Sequence, residues 1–225
     1  MMLQNKKVFL VSKDAPWSVK LMNSLSSLNC HYFNDESYIN HLSQSPDWIF
    51  FFHWSKIVPK DVYERNRCVV IHTSNLPNGR GGSPIQNQIL EGIVESRVNA
   101  LVMEGEIDGG SIYYSLPVTL QGTISDIWSA IADRAAVLIK KCVQDNPTPK
   151  KQVGKSQKYK RNKTNNLPVC DTKDLEKIHR FIQMLDGDTY PKAFIEIGNF
   201  KLEFSRSKLG DSCVLSDVLI RKIDE

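Results

Sequence analysis

His72 stands where an apolar run ends and a loop rich in glycine and polar residues begins. The run Cys68–Ile71 predicts a short buried strand. In an open α/β sheet, the edge at which parallel strands end is where ligands bind. An imidazole titrates near neutral pH and can accept or donate a proton there. The position therefore favours acid–base chemistry by His72, although a lone histidine can also be structural.

The loop after His72 continues to Gly92 and returns toward the same edge. Its first part is punctuated by Pro and Gly, and an apolar helical pattern follows. Ser83 is predicted to cap this helix, Pro84 suits its first position and Gly92 its end. We treat this stretch as the organising loop of the molecule.

The elements around the organising loop alternate between strand and helix. Strands are predicted at Lys7–Ser12, His31–Phe33, Trp48–Phe52, Asn99–Met103 and Ser111–Ser115. Helices are predicted over 14–28, 36–43 and 123–143, the last with a capping pattern at Thr123 and Asp126. Asp108 lies in a turn after Asn99–Met103, where neighbouring glycines can adopt positive φ. This order predicts an α/β domain with a mostly parallel sheet.

The last third of the chain has a different pattern. We place a catalytic domain at 1–146, a basic linker or surface loop at 147–166, and a small α+β module at 167–225. In the module, a helix is predicted over 171–185, and strands over 193–197, 201–205 and 214–223. Because about 60 residues bury little core, the module should lean on the first domain.

Composition is that of an ordinary soluble globular protein, with 41% hydrophobic and 24% charged residues. The net charge of +4 is local, because Lys150–Lys163 holds seven bases and no acid, so the remainder carries −3. We therefore expect no nucleic-acid-binding surface on the body. Five scattered cysteines without a C-x-x-C pair favour free thiols over a disulfide framework or a zinc site. Without a signal peptide core or a membrane span, the expected location is the cytoplasm.

Several motifs together resemble the folate-dependent formyltransferases. They are His72-x-Ser74-x-Leu76-Pro77-x-x-Arg80-Gly81, then Pro84 and Gly92, then Ile107-Asp108-x-Gly110-x-Ile112. A closer similarity to the sugar-nucleotide N-formyltransferases of bacterial surface-glycan biosynthesis, in the pseudaminic acid branch, rests on two details. These are the form of the organising loop and the segments Asp188–Phe194 and Leu202–Ser205. The resemblance implies a Rossmann-like formyltransferase domain followed by a small β-rich C-terminal module.

The resemblance implies a reaction and its catalytic groups. A primary amine attacks the formyl carbon of 10-formyltetrahydrofolate, and the tetrahedral intermediate collapses to an amide. By motif position His72 is the base or proton relay, and Asp108 holds the imidazole and manages the proton on the leaving nitrogen. The family usually has an asparagine two residues before the histidine, where this chain has Val70. We hypothesise that His72 with a loop amide or Asn75 stabilises the oxyanion instead.

The resemblance also implies where the donor and the acceptor bind. The donor would be held by the loop residues His53, Trp54, Ser55, Lys56, Ile57 and Val58 with Glu106 and Ile107. The acceptor would lie near Thr73, Ser74, Gly79, Arg80, Tyr190 and Lys192. Arg80 is equally compatible with pinning the loop, and Trp54 with plain core packing. No metal ligand set is expected.

The resulting expectation is transfer of a formyl group to the amine of a 4-amino-4,6-dideoxy nucleotide sugar. A nucleic-acid partner is not expected, and a homodimer is left open. Two alternatives remain: a formyltransferase of the methionyl-tRNA type, and a non-catalytic folate- or nucleotide-binding relative. The basic stretch Lys150–Lys163 is interpreted as a solvated segment, with attraction of a diphosphate or a tRNA as the alternative.

Overall fold

The structure, a computed structural model, describes residues 6–168 and 174–223. In that part of the chain eleven strands form: β1 (Lys7–Ser12), β2 (Asn29–Phe33), β3 (Trp48–Phe52), β4 (Cys68–Thr73), β5 (Asn78–Gly81), β6 (Glu95–Val102), β7 (Ile112–Thr119), β8 (Gln157–Tyr159), β9 (Ala193–Ile197), β10 (Phe200–Leu209) and β11 (Val214–Lys222). The helices are α1 (Pro16–Ser24), α2 (Lys60–Arg65), α3 (Pro84–Leu90), α4 (Ile124–Asp145) and α5 (Leu175–Gln183), with a 3-10 helix at Glu36–Gln44.

The main sheet has six strands in the order β2-β1-β3-β4-β6-β7. Strands β2, β1, β3 and β4 pair in parallel with one another, whereas β6 is antiparallel to β4 and β7 is antiparallel to β6. The predicted fold class, an α/β domain with a mostly parallel sheet, is confirmed. Since β3 and β4 are parallel, the chain leaves both strands at the same edge, which brings the loops after Phe52 and Thr73 together.

Residues of β3 alternate between two apolar clusters, one on each face of the sheet. Phe50 and Phe52 pack with α1 and α4, whereas Phe51 packs with Val58 and Val62 on the other face. All five β3 side chains are buried, as expected for a strand covered on both sides. The predicted helix 123–143 appears as α4, with a capping box between Thr123 and Asp126.

The C-terminal module is a three-stranded antiparallel sheet, β11-β10-β9, with α5 against it. Its buried residues Phe181, Met184 and Ala193 belong to the same core cluster as α4. The module therefore shares its core with the first domain. The start of the helix predicted over 171–185 lies outside the described residues, and α5 itself begins at Leu175.

The segment 147–166, which we expected to be a linker or surface loop, is docked on the organising loop. Within it, β8 pairs in parallel with β5, and Lys150 bridges to Ile112. The sequence did not predict α2, β5 or β8, and α1 ends four residues earlier than predicted. Across residues 6–168 and 174–223, no helix combines the length and apolar character needed to cross a membrane.

Candidate active site

His72 is the buried penultimate residue of β4, at the edge where the parallel strands end. Its cross-strand partner on β6 is Asn99, whose side-chain amide donates to the carbonyl oxygens of His72 (3.3 Å) and Ser74 (2.8 Å). Gln88 of α3 donates in the same way to the Thr73 carbonyl at 2.9 Å. These buried amides hold the start of the organising loop, because an unpaired carbonyl there would cost free energy.

The two ring nitrogens of His72 have different partners. Nε2 lies 2.9 Å from the carbonyl oxygen of Gly79 and 3.0 Å from the hydroxyl of Ser74. A carbonyl oxygen only accepts, so Nε2 carries a hydrogen in this contact. Nδ1 is therefore the nitrogen that can gain or lose a proton. It faces Asp108, with 3.4 Å between Nδ1 and Oδ2.

Asp108 is held from two directions. Its Oδ2 accepts a hydrogen bond from the Gly81 amide at 2.9 Å, and its own carbonyl accepts from the side chain of Gln152 at 2.8 Å. Its backbone is in the left-handed region, with φ of 52°, as an Asp-Gly turn allows. The carboxylate is nearly as buried as the ring of His72. Together they place an imidazole at the end of β4 beside a carboxylate from the loop after β6, which is the arrangement expected of a pair that transfers protons.

Arg80 contacts this pair indirectly, through Gln152, whose side chain donates to the Asp108 carbonyl. Its Nε and Nη2 donate to the Gln152 side-chain oxygen at 3.0 and 2.8 Å, and its Nη1 lies 3.0 Å from Glu106 Oε2. The hydrogen bond from Lys158 and the nearby charge of Arg80 hold the pKa of Glu106 below its usual range. These contacts are those expected of a residue that pins the loop, one of the two roles left open by the sequence, and that role stays a prediction.

Close backbone packing requires glycine at two points of β5. Gly79 has φ of 80°, and a Cβ there would lie 2.7 Å from the Tyr159 ring. A Cβ on Gly81, at φ of 99°, would lie 2.8 Å from the Tyr159 carbonyl oxygen. Tyr159 is the last residue of β8, so the docked basic segment packs directly against Gly79. The carbonyl oxygen of Gly79 is the one that contacts His72.

A cavity of about 890 Å³ opens beside His72 and Asp108. Thr73, which was predicted to lie near the acceptor, lines this cavity. So do all the residues predicted to bind the donor: His53, Trp54, Ser55, Lys56, Ile57, Val58, Glu106 and Ile107. Ile57 and Ile107 are large apolar side chains with 94% and 70% of their surface exposed. A cavity of this size with a mainly apolar wall is typical of sites for small organic molecules.

Aromatic residues from three elements form another part of the cavity wall. The ring of His53 lies 4.5 Å from that of Trp128 on α4, and its Nδ1 accepts a hydrogen bond from Trp17 Nε1 at 3.2 Å. Tyr190 accepts from Trp128 Nε1 at 2.9 Å. Burial lowers the pKa of His53 to about 4, so its ring is neutral near pH 7.

Some predicted site residues do not reach the cavity. Asn75 is exposed and donates to the Glu95 carbonyl at 3.2 Å, so the structure does not support its proposed role at the oxyanion. Lys192 binds Asp186 at 2.8 Å, within the C-terminal module. Ser74 and Gly79 contact His72 rather than the cavity. Val70 does line the cavity, two residues before His72 on β4.

Sequence reasoning missed three polar or aromatic members of the site. Gln86 lies on α3 and Trp128 on α4, and the sequence analysis singled out neither; nothing in the polar segment around Gln152 marked it. Among the described residues, no group of three or more His, Cys, Asp or Glu side chains could hold a metal ion.

Two family models match the chain. Residues 13–142 match the formyl transferase model, and residues 162–221 match the C-terminal domain of methionyl-tRNA formyltransferase. The first match alone covers more than half of the chain. The gap between the two matches, residues 143–161, includes most of the basic segment.

Three similar proteins illustrate the relationship. A methionyl-tRNA formyltransferase of Campylobacter jejuni is 37% identical over 122 residues, which cover 52% of this chain and 40% of that protein. The chain thus spans well under two thirds of that relative. A structure of methionyl-tRNA formyltransferase from Clostridium thermocellum has a TM-score of 0.88 at 32% identity, covering 96% of this chain and 99% of that one. HypX from Aquifex aeolicus, solved with tetrahydrofolic acid, shares the fold, with a TM-score of 0.74 at 13% identity, covering 89% of this chain and 37% of that one.

The expected nucleotide-sugar acceptor and the expected lack of a nucleic-acid partner are wrong. The Campylobacter jejuni and Clostridium thermocellum proteins and the C-terminal family model are of the methionyl-tRNA type, which was our stated alternative. The physical reason for the wrong prediction is that the loop motif positions His72 and Asp108. These two groups are expected in formyl transfer whichever molecule carries the amine. The charge argument treated the seven bases as a separate linker, but β8, which carries Lys158, pairs with β5, and Arg161 lines the cavity.

Proposed function

Because the chain belongs to the formyltransferase family of enzymes, we propose that it transfers a formyl group to the α-amino group of a methionyl-tRNA, with 10-formyltetrahydrofolate as donor. The observation that carries this acceptor is the match of residues 162–221 to the C-terminal domain of methionyl-tRNA formyltransferase. The likeness to the Clostridium thermocellum structure, which extends over 96% of the chain, supports it.

In this proposal His72 and Asp108 manage the protons. His72 accepts a proton from the attacking amine at Nδ1, because Nε2 is committed to the Gly79 carbonyl. Asp108 stabilises the imidazolium that forms and lies where the proton can pass on to the leaving nitrogen. Burial of both groups strengthens their interaction relative to water.

The donor fits the part of the cavity lined by the loop 53–58 and by Glu106 and Ile107. A folate donor would supply an activated formyl carbon to this site. The exposed side chains of Ile57 and Ile107 would be covered by its aromatic part, which removes apolar surface from water. Trp54 packs against Phe51 and Tyr38, so it forms the fixed wall of this part.

The basic segment provides the surface for tRNA phosphates in this proposal. Lys155, Lys158, Lys160 and Lys163 are exposed, and Arg161 lines the cavity itself. Because β8 pairs with β5, Lys158 lies along the organising loop and contacts Glu106 of the cavity wall, rather than sitting on a free linker. Phosphate contacts by Lys and Arg give affinity that falls steeply with salt.

The test is an acceptor comparison with the purified chain and 10-formyltetrahydrofolate. Methionyl-tRNA, the same tRNA uncharged, and a 4-amino UDP-sugar are supplied in parallel, and tetrahydrofolate release and formylated product are measured. We expect product with methionyl-tRNA alone. Equal turnover without any acceptor, or product with the UDP-sugar alone, would contradict the proposal.

A further inference from the structure

Gln152 joins the turn of Asp108 to the organising loop through four hydrogen bonds. Its side-chain oxygen accepts from Nε and Nη2 of Arg80 at 3.0 and 2.8 Å. Its side-chain nitrogen donates to the carbonyl oxygens of Asp108 and Gly110, both at 2.8 Å. A carboxamide has two donor hydrogens and two acceptor lone pairs, so these contacts use the whole group. Because a guanidinium only donates and a carbonyl only accepts, the two ends of the amide cannot be exchanged.

The turn that presents Asp108 is mostly exposed. Residues 104–107 are exposed, and Asp108 has φ of 52°, which is uncommon for a residue with a side chain. Gly110 at the end of the turn is buried, and a Cβ there would lie 1.9 Å from the Val102 carbonyl oxygen. The turn is therefore tightly closed at its base. Since Gln152 binds the carbonyls of Asp108 and Gly110, it fixes the turn from outside.

The basic segment holds Gln152 in place on both sides. Lys150, which precedes it, exchanges two backbone hydrogen bonds with Ile112, at 2.8 and 2.9 Å. β8, which follows it, pairs with β5. The neighbours Lys151 and Val153 are exposed, whereas Gln152 is partly buried. Gln152 is therefore the side chain through which this part of the segment reaches the active site.

From these contacts, and resting on the proposed function, we propose that Gln152 is a positioning residue for formyl transfer. It holds the carboxylate of Asp108 toward His72 Nδ1, and through it the docked basic segment contributes to the geometry of the pair. Gln152 is not one of the described residues that line the cavity, so it acts on Asp108 and not on a ligand. A displacement of about 1 Å in a catalytic group can lower turnover about a hundredfold.

The first experiment removes the amide. Gln152→Met keeps the length of the side chain but removes both amide donors. Gln183→Met is the matched control, because Gln183 also reaches a distant carbonyl, donating to Gly122 at 2.6 Å, and neither residue lines the cavity beside His72. With methionyl-tRNA we expect kcat to fall about ten- to a hundredfold in Gln152→Met and less than about twofold in the control. The Kd of the donor should change less than about threefold in both variants.

A double-mutant cycle separates positioning from a general effect on the fold. If Gln152 acts through Asp108, then Gln152→Met should lower kcat by less than about twofold once Asp108 is already Asn. A loss of stability alone would act equally in both backgrounds. Equal losses of kcat in the wild-type and Asp108→Asn backgrounds would therefore overturn the proposal.

A second variant covers the case in which Gln152→Met does not fold. Gln152→Glu retains an acceptor for the guanidinium of Arg80 but turns a carboxylate oxygen toward the carbonyls of Asp108 and Gly110. Because these oxygens repel one another, the turn should shift, with the same loss of kcat and the same lack of effect in the Asp108→Asn background. A wild-type kcat in Gln152→Glu would contradict the proposal.

The ring of His72 reports on the pair without any acceptor. Nitrogen NMR of protein with labelled histidine, with the signals of His72 assigned by comparison with His72→Asn, should show a shift in Gln152→Met and none in Gln183→Met. Unshifted His72 signals in Gln152→Met would overturn the proposal whatever the acceptor is. If the wild type formylates no aminoacyl-tRNA, the proposed function fails, and these signals still show whether Gln152 positions Asp108.

Discussion

His72 Nδ1 lies 3.4 Å from Asp108 Oδ2, while Nε2 of the same ring lies 2.9 Å from the Gly79 carbonyl oxygen. One contact fixes which nitrogen keeps its hydrogen, and the other provides a partner for the proton that the ring takes up. The two contacts come from different loops. Catalysis should therefore be sensitive to changes in either loop, but in distinguishable ways.

Replacing Asp108 by Asn should lower kcat about a hundredfold to ten-thousandfold, the usual contribution of general acid–base catalysis. The carboxamide has the same shape and can still accept from the Gly81 amide, but it cannot stabilise an imidazolium by charge. Binding of the donor should change little. Steady-state kinetics and a donor titration check this. Asp133→Asn, on the exposed ion pair with Lys20, is the control, and equal losses in both variants would count against the assignment.

Replacing Gly79 by Ala should lower both stability and turnover. The new Cβ would lie 2.7 Å from the Tyr159 ring and 2.8 Å from the Ser74 Cβ, and φ of 80° adds about 1–2 kcal/mol of strain. The carbonyl that orients His72 would then shift. Gly198→Ala is the matched control, since its φ is 56° and nothing lies within 4 Å of its Cβ position. Urea unfolding should show destabilisation in both variants, whereas only Gly79→Ala should lose turnover.

Stability should fall as the pH decreases from about 6.5 to about 4 because of His53. Burial lowers the pKa of this imidazole from 6.5 to about 4. Between these values the unfolded chain binds the proton and the folded chain does not, so acid favours unfolding, by at most about 3 kcal/mol. In His53→Gln this contribution is absent. Urea unfolding of both proteins at pH 7, 6 and 5 measures the free energy of unfolding. If the difference in this free energy between the wild type and His53→Gln stays constant with pH, the assignment is refuted.

Replacing Lys155 and Lys160 by Gln should weaken tRNA binding and flatten its salt dependence. Each lost phosphate contact removes about 0.7–0.9 from the slope of log affinity against log salt concentration. Lys140 and Lys141, near the far end of α4, are the matched pair for the control. Binding isotherms at several salt concentrations test this. Identical slopes for the two double variants would exclude the basic segment as the phosphate-binding surface.

The sequence predicted the framework of the site and missed its supports. The apolar run Trp48–Phe52 and the position of His72 were enough to predict that the loops after β3 and β4 meet, because parallel neighbouring strands must end at one edge. Gln152 could not be found, since it reaches Asp108 from 44 residues away and lies in a polar segment without periodicity. For the same reason β8 was taken for part of a linker. The acceptor class was missed because the loop motif reports on formyl chemistry and not on the molecule that carries the amine.

Val70 offers a test of what stabilises the oxyanion. In the formyltransferases that the loop resembles, an asparagine stands at this position, and here Val70 lines the cavity on the same strand as His72. Because Asn75 is bonded to the Glu95 carbonyl instead, Asn75→Ala should leave turnover unchanged. Val70→Asn should raise kcat if the position lacks a donor, since one such donor is worth about a hundredfold or more in other enzymes.

The matched control for this substitution is Val70→Thr, which is close in size to valine but places a hydroxyl at Cβ rather than an amide donor farther along the chain. Turnover of Asn75→Ala, Val70→Asn and Val70→Thr at saturating acceptor shows which group stabilises the oxyanion. An increase confined to Val70→Asn would mean that the wild-type site relies on His72 alone at this point. A decrease would mean that the cavity needs an apolar side chain there, and that the donor for the oxyanion comes from the backbone of the loop.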